Sequence, residues 1–318
     1  MGEPITRLNP VIESRVSKIL FLKSLSLIYG IAMKLPEKKY CGNGRIPYDY
    51  RILITLCLFR IVCCETYYYY EVKLRTDPRL LDYFGLSILP SKSTLQRCSA
   101  EMHAILLRKI HSWLIEDWIL RRCNILLDAS GIRIFGRSIW YCIRAKKPIS
   151  RRECDKIHIA ICSDTHVILN WFISEGKKAD SPYFKWLLLP FEKVGIVCAD
   201  PGYLSRENFK IVLDKLGSLF IPFKKNSIGR SMGSWMWKTS FWLWKKANSV
   251  YMKIYHQRSK VECVFSALKK RYGDKLNCRT ESARRNEMAM RFIAYNIRVI
   301  IHYQYAVDNG LNLFARAK

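Results

Sequence analysis

The chain has 318 residues, of which half are apolar and a quarter are charged, and its 54 Lys and Arg against 26 Asp and Glu give a formal net charge of +28. This composition excludes a disordered or fibrous chain, and the apolar runs fall short of the roughly 18–20 residues that a membrane span needs. At ~150 residues per domain, this length predicts two domains. The composition predicts a soluble, strongly basic protein.

The basic excess runs along the whole chain and is not held in a tail. Residues 1–120 carry a net charge of +6 and residues 251–318 one of +9, which leaves +13 for the middle. A field of this sign attracts polyanions, and Lys and Arg contacts to phosphates release condensed counterions. The distribution favours a long nucleic-acid track, with a solvated basic surface as the alternative.

The cysteines and the first residues indicate the compartment. The twelve cysteines include no C-x-x-C pair, so a zinc ribbon is unsupported, and several lie in apolar runs as small core residues. Residues 1–9 carry charges and no apolar stretch typical of a signal peptide. A reducing cytoplasmic compartment is therefore expected.

Residues 10 to about 120 are predicted to be helical. Periodic apolar stretches start near Val16 and span 50–70. Ser91 is an N-cap candidate for a further helix that continues to about Trp118. The basic and polar start of that helix would suit a helix-turn-helix that reads DNA, but an ordinary capped helix explains it equally well.

From residue 124 the pattern changes to short apolar runs. Strands are predicted at 124–127, 156–163, 167–174, 195–199 and 219–223, and helices at 181–192 and 208–216. Strands that come first in hairpin order and then alternate with helices predict an α/β fold, a mixed sheet flanked by helices.

Two aspartates, Asp128 and Asp200, directly follow β-type runs. Carboxylates at the carboxyl ends of neighbouring strands project into one crevice, where α/β sheets bind their ligands. Converging carboxylates repel one another unless a hard cation lies between them, and oxygen ligands of this kind suit Mg²⁺. Taken alone, an aspartate at a strand end is more often a turn or cap residue.

The segment from Tyr255 to Lys269 is predicted to be a helix. Its apolar residues follow the i, i+3, i+4, i+7 pattern of a buried face: Val261, Val264, Phe265 and Leu268. Tyr255, Glu262 and Lys269 recur every seven residues, and Arg258 lies about 60° to one side. Glu262 could then reach a metal ion held by two strand aspartates. Arg258 and Lys269 would contact the phosphates on which that metal ion acts. A solvated charged face is the alternative.

The pattern Tyr255-x₂-Arg258-x₃-Glu262-x₆-Lys269 resembles, at all four positions, the Tyr-Arg-Glu-Lys signature of insertion-sequence DDE transposases. Further segments similar to that family lie at 125–131, around Asp128; at 198–203, around Asp200; and at 156–158 and 179–182. The similarity covers roughly residues 120–305, and its segments occur in the order expected of the family.

The resemblance implies a ribonuclease H-like catalytic domain in which Asp128, Asp200 and Glu262 are catalytic and bind two Mg²⁺ ions, with Mn²⁺ able to substitute. One ion would activate water and later the 3′-hydroxyl, and the other would stabilise the leaving oxygen. The resemblance also implies DNA contacts: Tyr255 would stack on or hydrogen-bond terminal DNA, and Arg258 and Lys269 would hold backbone phosphates.

The predicted organisation is a helical region at 1–120 that binds DNA and recognises terminal repeats, and a ribonuclease H-like DDE catalytic domain at 121–318 with an insertion at about 224–250. The 62 residues from Asp200 to Glu262 leave room for a modest β-rich or looped insertion.

The expected function is that of a DNA transposase that binds the terminal inverted repeats of an insertion sequence and catalyses metal-dependent strand cleavage and strand transfer. The expected partners are these repeats, target DNA and a second copy of the chain, with no membrane. The expected location is the prokaryotic cytoplasm, in association with the nucleoid. The alternative is a transposase-derived DNA-binding protein that no longer cleaves, although its expected mark, the loss of an acid, is absent.

Two aromatic and basic clusters have two interpretations each. Four of the nine tryptophans lie within ten residues, at Trp235, Trp237, Trp242 and Trp244. Core packing of the insertion is favoured over a platform that stacks an unpaired base. The run Lys269-Lys270-Arg271 is predicted to face DNA, with a plain solvated helix as the alternative. His158 is expected to be a strand residue near the site, because Mg²⁺ prefers oxygen ligands.

Overall fold

The computed structural model describes residues 7–38, 40–44, 46–134, 144, 154–176 and 178–315. The chain divides into two compact units. The sheet unit comprises Met1–Arg7, Ile115–Lys270 and Phe314–Lys318, and the helical unit comprises Leu8–Leu114 and Arg271–Leu313.

The described α-helices are α1 Pro10–Ala32, α2 Tyr50–Val62, α3 Tyr67–Thr76, α4 Arg79–Phe84, α5 Lys92–Glu101, α6 Ala104–Leu114, α7 Glu116–Leu120, α8 Phe184–Leu187, α9 Arg206–Asp214, α10 Trp235–Lys246, α11 Asn248–Tyr255, α12 Ser259–Tyr272 and α13 Glu281–Asp308. The described strands are β1 Arg7–Leu8, β2 Ile125–Ile134, β3 Cys154–Cys162, β4 Ile168–Glu175, β5 Ile196–Ala199, β6 Ser218–Phe220, β7 Lys275–Leu276 and β8 Phe314–Ala315. Single 3₁₀ turns lie at Ser181–Tyr183, Pro201–Tyr203 and His256–Arg258.

The helices of the N-terminal half are shorter than the apolar periodicity predicts. The stretch at 50–70 is two helices, because Cys64 adopts a left-handed φ of 59° and the Thr66 side chain caps α3 by accepting from Tyr69 N. Ser91 caps α5 as predicted, by accepting from Thr94 N. The helix predicted from there to about residue 118 is instead α5, α6 and α7.

The C-terminal helix α13 belongs to the helical unit, although the sequence places it within the predicted domain 121–318. It packs against α1, α2, α5 and α6. The buried Asn286 side chain donates to the carbonyls of Ser99, Ala100 and Met102 at the end of α5. Many residues of α13 are buried, and the neighbouring helices cover them. A domain boundary drawn along the chain does not anticipate this arrangement.

The sheet has the strand order β4-β3-β2-β5-β6. β2 pairs antiparallel with β3 and parallel with β5; β3 pairs antiparallel with β4, and β5 pairs parallel with β6. This mixed sheet and the helices that flank it confirm the predicted α/β class, and they are consistent with a ribonuclease H-like fold. The helical N-terminal region is also confirmed.

Asp128 lies inside a strand and not at its end, which corrects the prediction for 124–127. Parallel pairing of β2 with β5 stops at Leu127 opposite Ala199, but antiparallel pairing with β3 continues through Asp128 opposite Ile159 and on to Arg133. Asp128 therefore stands where the parallel ladder ends. Asp200 follows the last paired residue of β5, so the two aspartates still come from neighbouring strands at one level of the sheet.

The segment predicted as a β-rich or looped insertion at about 224–250 contains helix α10 and the start of α11. The four tryptophans divide between the two interpretations. Trp237 is buried against Phe209 and Phe223, and Trp244 is half-buried beside Phe223. Trp235 and Trp242 are exposed. One side of α10 is thus core, and the other presents indole rings to solvent.

The helix predicted at 181–192 is reduced to a 3₁₀ turn and the four residues of α8. Pro190 explains the early end, because a proline disfavours helical conformation in the residue before it.

Among the described residues, no single helix is long and apolar enough to cross a membrane. One pair, Tyr50–Val62 with Tyr67–Thr76, passes that test together by length and composition only, with a bend of 111° between its helices.

His166 is expected to make the folding stability depend on pH. It is buried in the turn after β3, where burial and, next, the charge of Lys260 lower its pKa from 6.5 to about 4. Between these values the unfolded chain binds a proton that the folded chain excludes, so the free energy of unfolding falls as the pH falls. Between pH 7 and pH 5 we expect the free energy of unfolding to fall by about 2 kcal/mol less in His166→Asn than in the wild type.

Asparagine suits this position because it tolerates the φ of 62° at His166 better than most residues do. Urea unfolding at the two pH values measures the effect, with the exposed His103→Asn as the matched control. The prediction would be contradicted if the free energy of unfolding of His166→Asn changed between the two pH values as much as that of the wild type does.

Candidate active site

Three carboxylates of the sheet unit surround one guanidinium. Arg258 Nη1 lies 2.6 Å from Asp128 Oδ2 and 3.9 Å from Asp200 Oδ1, and Nη2 donates to Glu262 Oε1 at 3.0 Å. The exposed fraction of the side chain rises from 14% at Asp128 to 39% at Asp200 and 61% at Glu262. The structure therefore brings the three predicted acids together around Arg258, in a cluster that opens to solvent on the side of Glu262.

The local backbone positions each aspartate. Asp128 Oδ1 accepts from Ala129 N at 2.8 Å, which leaves Oδ2 for Arg258. Asp200 is the N-cap of the 3₁₀ turn Pro201–Tyr203, and its Oδ2 accepts from Gly202 N at 3.0 Å. Each carboxylate is thus oriented by one backbone amide and turns its other oxygen toward the centre of the cluster.

The helix predicted over 255–269 is interrupted. Tyr255 is the last residue of α11, the 3₁₀ turn His256–Arg258 follows, and α12 begins at Ser259. The apolar residues predicted to form the buried face are indeed buried: Val261, Val264, Phe265 and Leu268. Because Arg258 precedes α12 directly, it pairs with Glu262 one turn later, the i, i+4 geometry of helical ion pairs.

The charges of the cluster shift the pKa of its deepest acid. The pKa of Asp128 is raised from 3.8 to about 6, mainly by burial and to a smaller degree by the carboxylates of Asp200 and Glu262, while Arg258 and the Ala129 amide oppose the shift. Burial acts to lower the pKa of Arg258, but the charges of Asp128 and Asp200 and the interaction with Tyr255 together outweigh it, so this pKa rises. Arg258 therefore stays charged and is the cation that the acids share.

The other residues of the Tyr-Arg-Glu-Lys pattern lie close to this cluster. Tyr255 is buried, and its hydroxyl accepts from Arg258 Nε at 3.1 Å, so it orients the guanidinium. Lys269 Nζ donates to Ser130 Oγ on β2 at 2.8 Å. Lys270 and Arg271 are exposed. The DNA contacts proposed for these residues remain predictions.

A polar network behind Asp200 has only partial signals in the sequence. The buried ring of His158 bonds to Tyr203 Oη and to Ser174 Oγ, each at 2.9 Å, and Asp180 forms an ion pair with Lys156. The sequence singled out the segments of His158, Asp180 and Tyr203. It offers no signal for Ser174, whose position depends on the pairing of β3 with β4.

The cluster has donors of the chemistry that a divalent ion prefers. All three side chains around Arg258 are carboxylates, the hard oxygen ligands that suit Mg²⁺, and their summed charge exceeds that of the single guanidinium. Within the part of the chain that the structure describes, no group of three or more His, Cys, Asp or Glu side chains is arranged to hold a metal ion. The donor set fits a divalent ion in its chemistry, and in this structure Arg258 lies between the acids.

Comparison with known proteins adds a family relationship. A family model described as a transposase DDE domain matches residues 120–297, which is more than half of the chain. The matched segment contains all three acids, together with Tyr255, Arg258 and Lys269. No curated protein and no solved structure matches the chain.

Proposed function

Because the chain belongs to the transposase DDE domain family and is therefore a transposase that acts on DNA, we propose that it binds the terminal inverted repeats of an insertion sequence and catalyses Mg²⁺-dependent strand cleavage and strand transfer. The observation that carries this proposal is the convergence of Asp128, Asp200 and Glu262 around one shared cation.

DDE transposases use divalent metal ions in general, and we propose Mg²⁺ for this chain, held by the three acids. When bound, Mg²⁺ would supply the activation of the attacking oxygen and the stabilisation of the leaving oxygen. The side chains have complementary tasks. The acids hold their oxygens toward one centre, and Tyr255 keeps the guanidinium of Arg258 beside them.

Arg258 has a second task in this proposal. Its guanidinium balances the acids in the free protein, and a scissile phosphate that enters the cluster offers it a bidentate partner. Lys269 at the edge of the cluster, followed by the exposed Lys270 and Arg271, continues the positive charge along α12. These cations would hold the phosphates of the DNA end, which agrees with the formal charge of +28.

The helical unit would recognise the terminal repeats. Lys92, Gln96 and Arg97 lie exposed on α5, whose polar face is available to a DNA groove. Two ends must be held together for strand transfer, so we expect two copies of the chain on the DNA. The expected place of action is the prokaryotic cytoplasm, at the nucleoid.

Cleavage of a labelled duplex tests the proposal. The duplex carries the inverted repeat that flanks the gene, and a duplex of the same composition with a scrambled repeat is the control. We expect nicking at the repeat end in Mg²⁺ or Mn²⁺, no nicking with a chelator, and no defined product on the scrambled duplex.

The same assay separates the proposal from its alternative. Specific binding to the repeat without cleavage in either metal, under conditions where a second repeat end and target DNA are present, would indicate a DNA-binding protein that descends from a transposase. Binding that ignores the repeat sequence would remove the recognition part of the proposal.

A further inference from the structure

The turn that carries Asp200 is anchored from behind by side chains outside the acid cluster. Asp200 begins the 3₁₀ turn that ends at Tyr203, and Tyr203 is fully buried. Its hydroxyl lies 2.9 Å from Nδ1 of His158, which is also fully buried. His158 lies on β3 opposite Ala129, the residue after Asp128. One hydrogen bond therefore joins the Asp200 turn to the strand that pairs with β2.

We assign the direction of this hydrogen bond from its neighbours. The Ser174 hydroxyl donates to the Glu175 carbonyl at 3.4 Å, so its oxygen accepts the proton on His158 Nε2 at 2.9 Å. Burial lowers the pKa of His158 to about 4, so the ring is neutral near pH 7. A neutral ring with its proton on Nε2 has an acceptor at Nδ1, and the Tyr203 hydroxyl donates to it.

The backbone of the turn is held as well. The buried Asn208 side chain donates to the Tyr203 carbonyl at 2.6 Å and to Ser181 Oγ at 3.2 Å. The turn also closes on itself, because Tyr203 N donates to the Asp200 carbonyl at 2.9 Å. Both ends of the Tyr203 residue, hydroxyl and carbonyl, thus have buried partners, and Asp200 is three residues away on the same turn.

Asp180 closes the network on the side of Gly202. It forms an ion pair with Lys156, and its Oδ1 lies 3.7 Å from His158 Nδ1. A side chain at Gly202 would place its Cβ 2.9 Å from Asp180 Oδ2 and 3.4 Å from Asp200 Oδ2, so the close approach of the two carboxylates requires glycine between them. Lys156 supplies the charge that lets Asp180 lie so close to Asp200.

We infer that His158, acting through the Tyr203 hydroxyl, is a positioning residue that holds Asp200 in the orientation needed to bind a divalent ion. The inference rests on the proposed function, since it takes Asp200 as a metal ligand. Groups that orient a ligand from behind commonly change metal affinity about 10- to 100-fold when they are removed. The turn holding Asp200 is short, so a lost anchor at Tyr203 is transmitted to its first residue.

Mn²⁺ binding to the full chain, measured by the electron paramagnetic resonance signal of free Mn²⁺, tests the inference. We expect Tyr203→Phe to weaken Mn²⁺ binding about tenfold or more, because the ring keeps its packing while the anchor to His158 is lost. Tyr251→Phe is the matched control. Tyr251 is also fully buried, and its hydroxyl accepts from Ile221 N and donates to the Ile221 carbonyl, both at 2.9 Å, directly after β6. Urea unfolding of both variants reports their structural cost.

Weaker Mn²⁺ binding in Tyr203→Phe alone, at a loss of stability similar to that of Tyr251→Phe, supports the inference. Wild-type affinity in Tyr203→Phe, or an equal weakening in both variants, overturns it. Asp200→Asn separates this result from a failure of the proposed function. If the wild-type chain binds Mn²⁺ no better than Asp200→Asn, then Asp200 is not a metal ligand. The proposed metal site is then wrong, independently of the role of His158.

Discussion

Asp128→Asn is expected to lower the rate of repeat-end cleavage by about 10³-fold or more, while binding to the repeat persists. A metal-ion site contributes several kcal/mol to the stabilisation of the transition state, and each ~1.4 kcal/mol corresponds to a factor of ten in rate. Asparagine keeps the size of the side chain and an oxygen, but it removes the negative charge that a divalent ion and Arg258 share.

This loss is not expected to come from unfolding. The pKa of Asp128 is raised to about 6, mainly by burial, so its charged form is costly to the folded protein near pH 7. Asparagine removes that cost, and we expect the free energy of unfolding in the absence of metal to stay near the wild-type value.

Single-turnover cleavage and a gel-shift titration on the same labelled duplex measure the two quantities. Asp164→Asn is the matched control and should cleave like the wild type, because Asp164 is an exposed residue of the turn between β3 and β4. Cleavage by Asp128→Asn within tenfold of the wild type would remove Asp128 from the metal site. Asp200→Asn and Glu262→Gln are expected to behave as Asp128→Asn does.

Arg258→Ala is expected to destabilise the metal-free protein by about 2 kcal/mol or more at pH 7.5, because removal of one partner leaves the poorly solvated carboxyl of Asp128 next to two other acids without its counterion. Mg²⁺ should stabilise this variant more than it stabilises the wild type, since the divalent ion no longer competes with a guanidinium. Cleavage should also fall, because the scissile phosphate loses its bidentate partner.

Urea unfolding with and without Mg²⁺ tests the effect on stability. Arg285→Ala is a matched control, because Arg285 pairs with Glu281 in the same i, i+4 geometry on an exposed helix face. Exposed pairs contribute about 0–1 kcal/mol, so its loss should be small. Equal losses in the two variants would show that Arg258 is not the counterion of a poorly solvated cluster. Arg258→Lys, which keeps the charge and loses the fork of donors, should fall between Arg258→Ala and the wild type.

Chemical types and spacing along the chain predict much of the candidate site. The acids of a strongly basic chain stand out, and Glu262 occurs at a fixed distance from Arg258 that a helical turn converts into an ion pair. The run of apolar residues before Asp128 and Asp200 also predicts two neighbouring strands, because such runs are buried on both faces of a sheet.

The extent of each element is harder to predict, because it depends on partners that are distant in sequence. β2 continues past Asp128 because it pairs antiparallel with β3 as far as Arg133. The tryptophans of α10 show the same limit: hydropathy is equal for all four, and only the packing of Phe209 and Phe223 decides that Trp237 is buried while Trp235 is exposed.

The sequence by itself therefore determined the fold class and singled out the three acids, because local periodicity, residue chemistry and spacing indicate both, and it identified the Tyr-Arg-Glu-Lys pattern around Glu262 by resemblance to a family signature. The tertiary structure alone decided that Arg258 is the shared counterion of the acids and that His158 reaches Tyr203 across 45 residues. Both contacts depend on short-range forces between side chains that folding brings together. The separation of these residues along the chain therefore does not indicate that they meet.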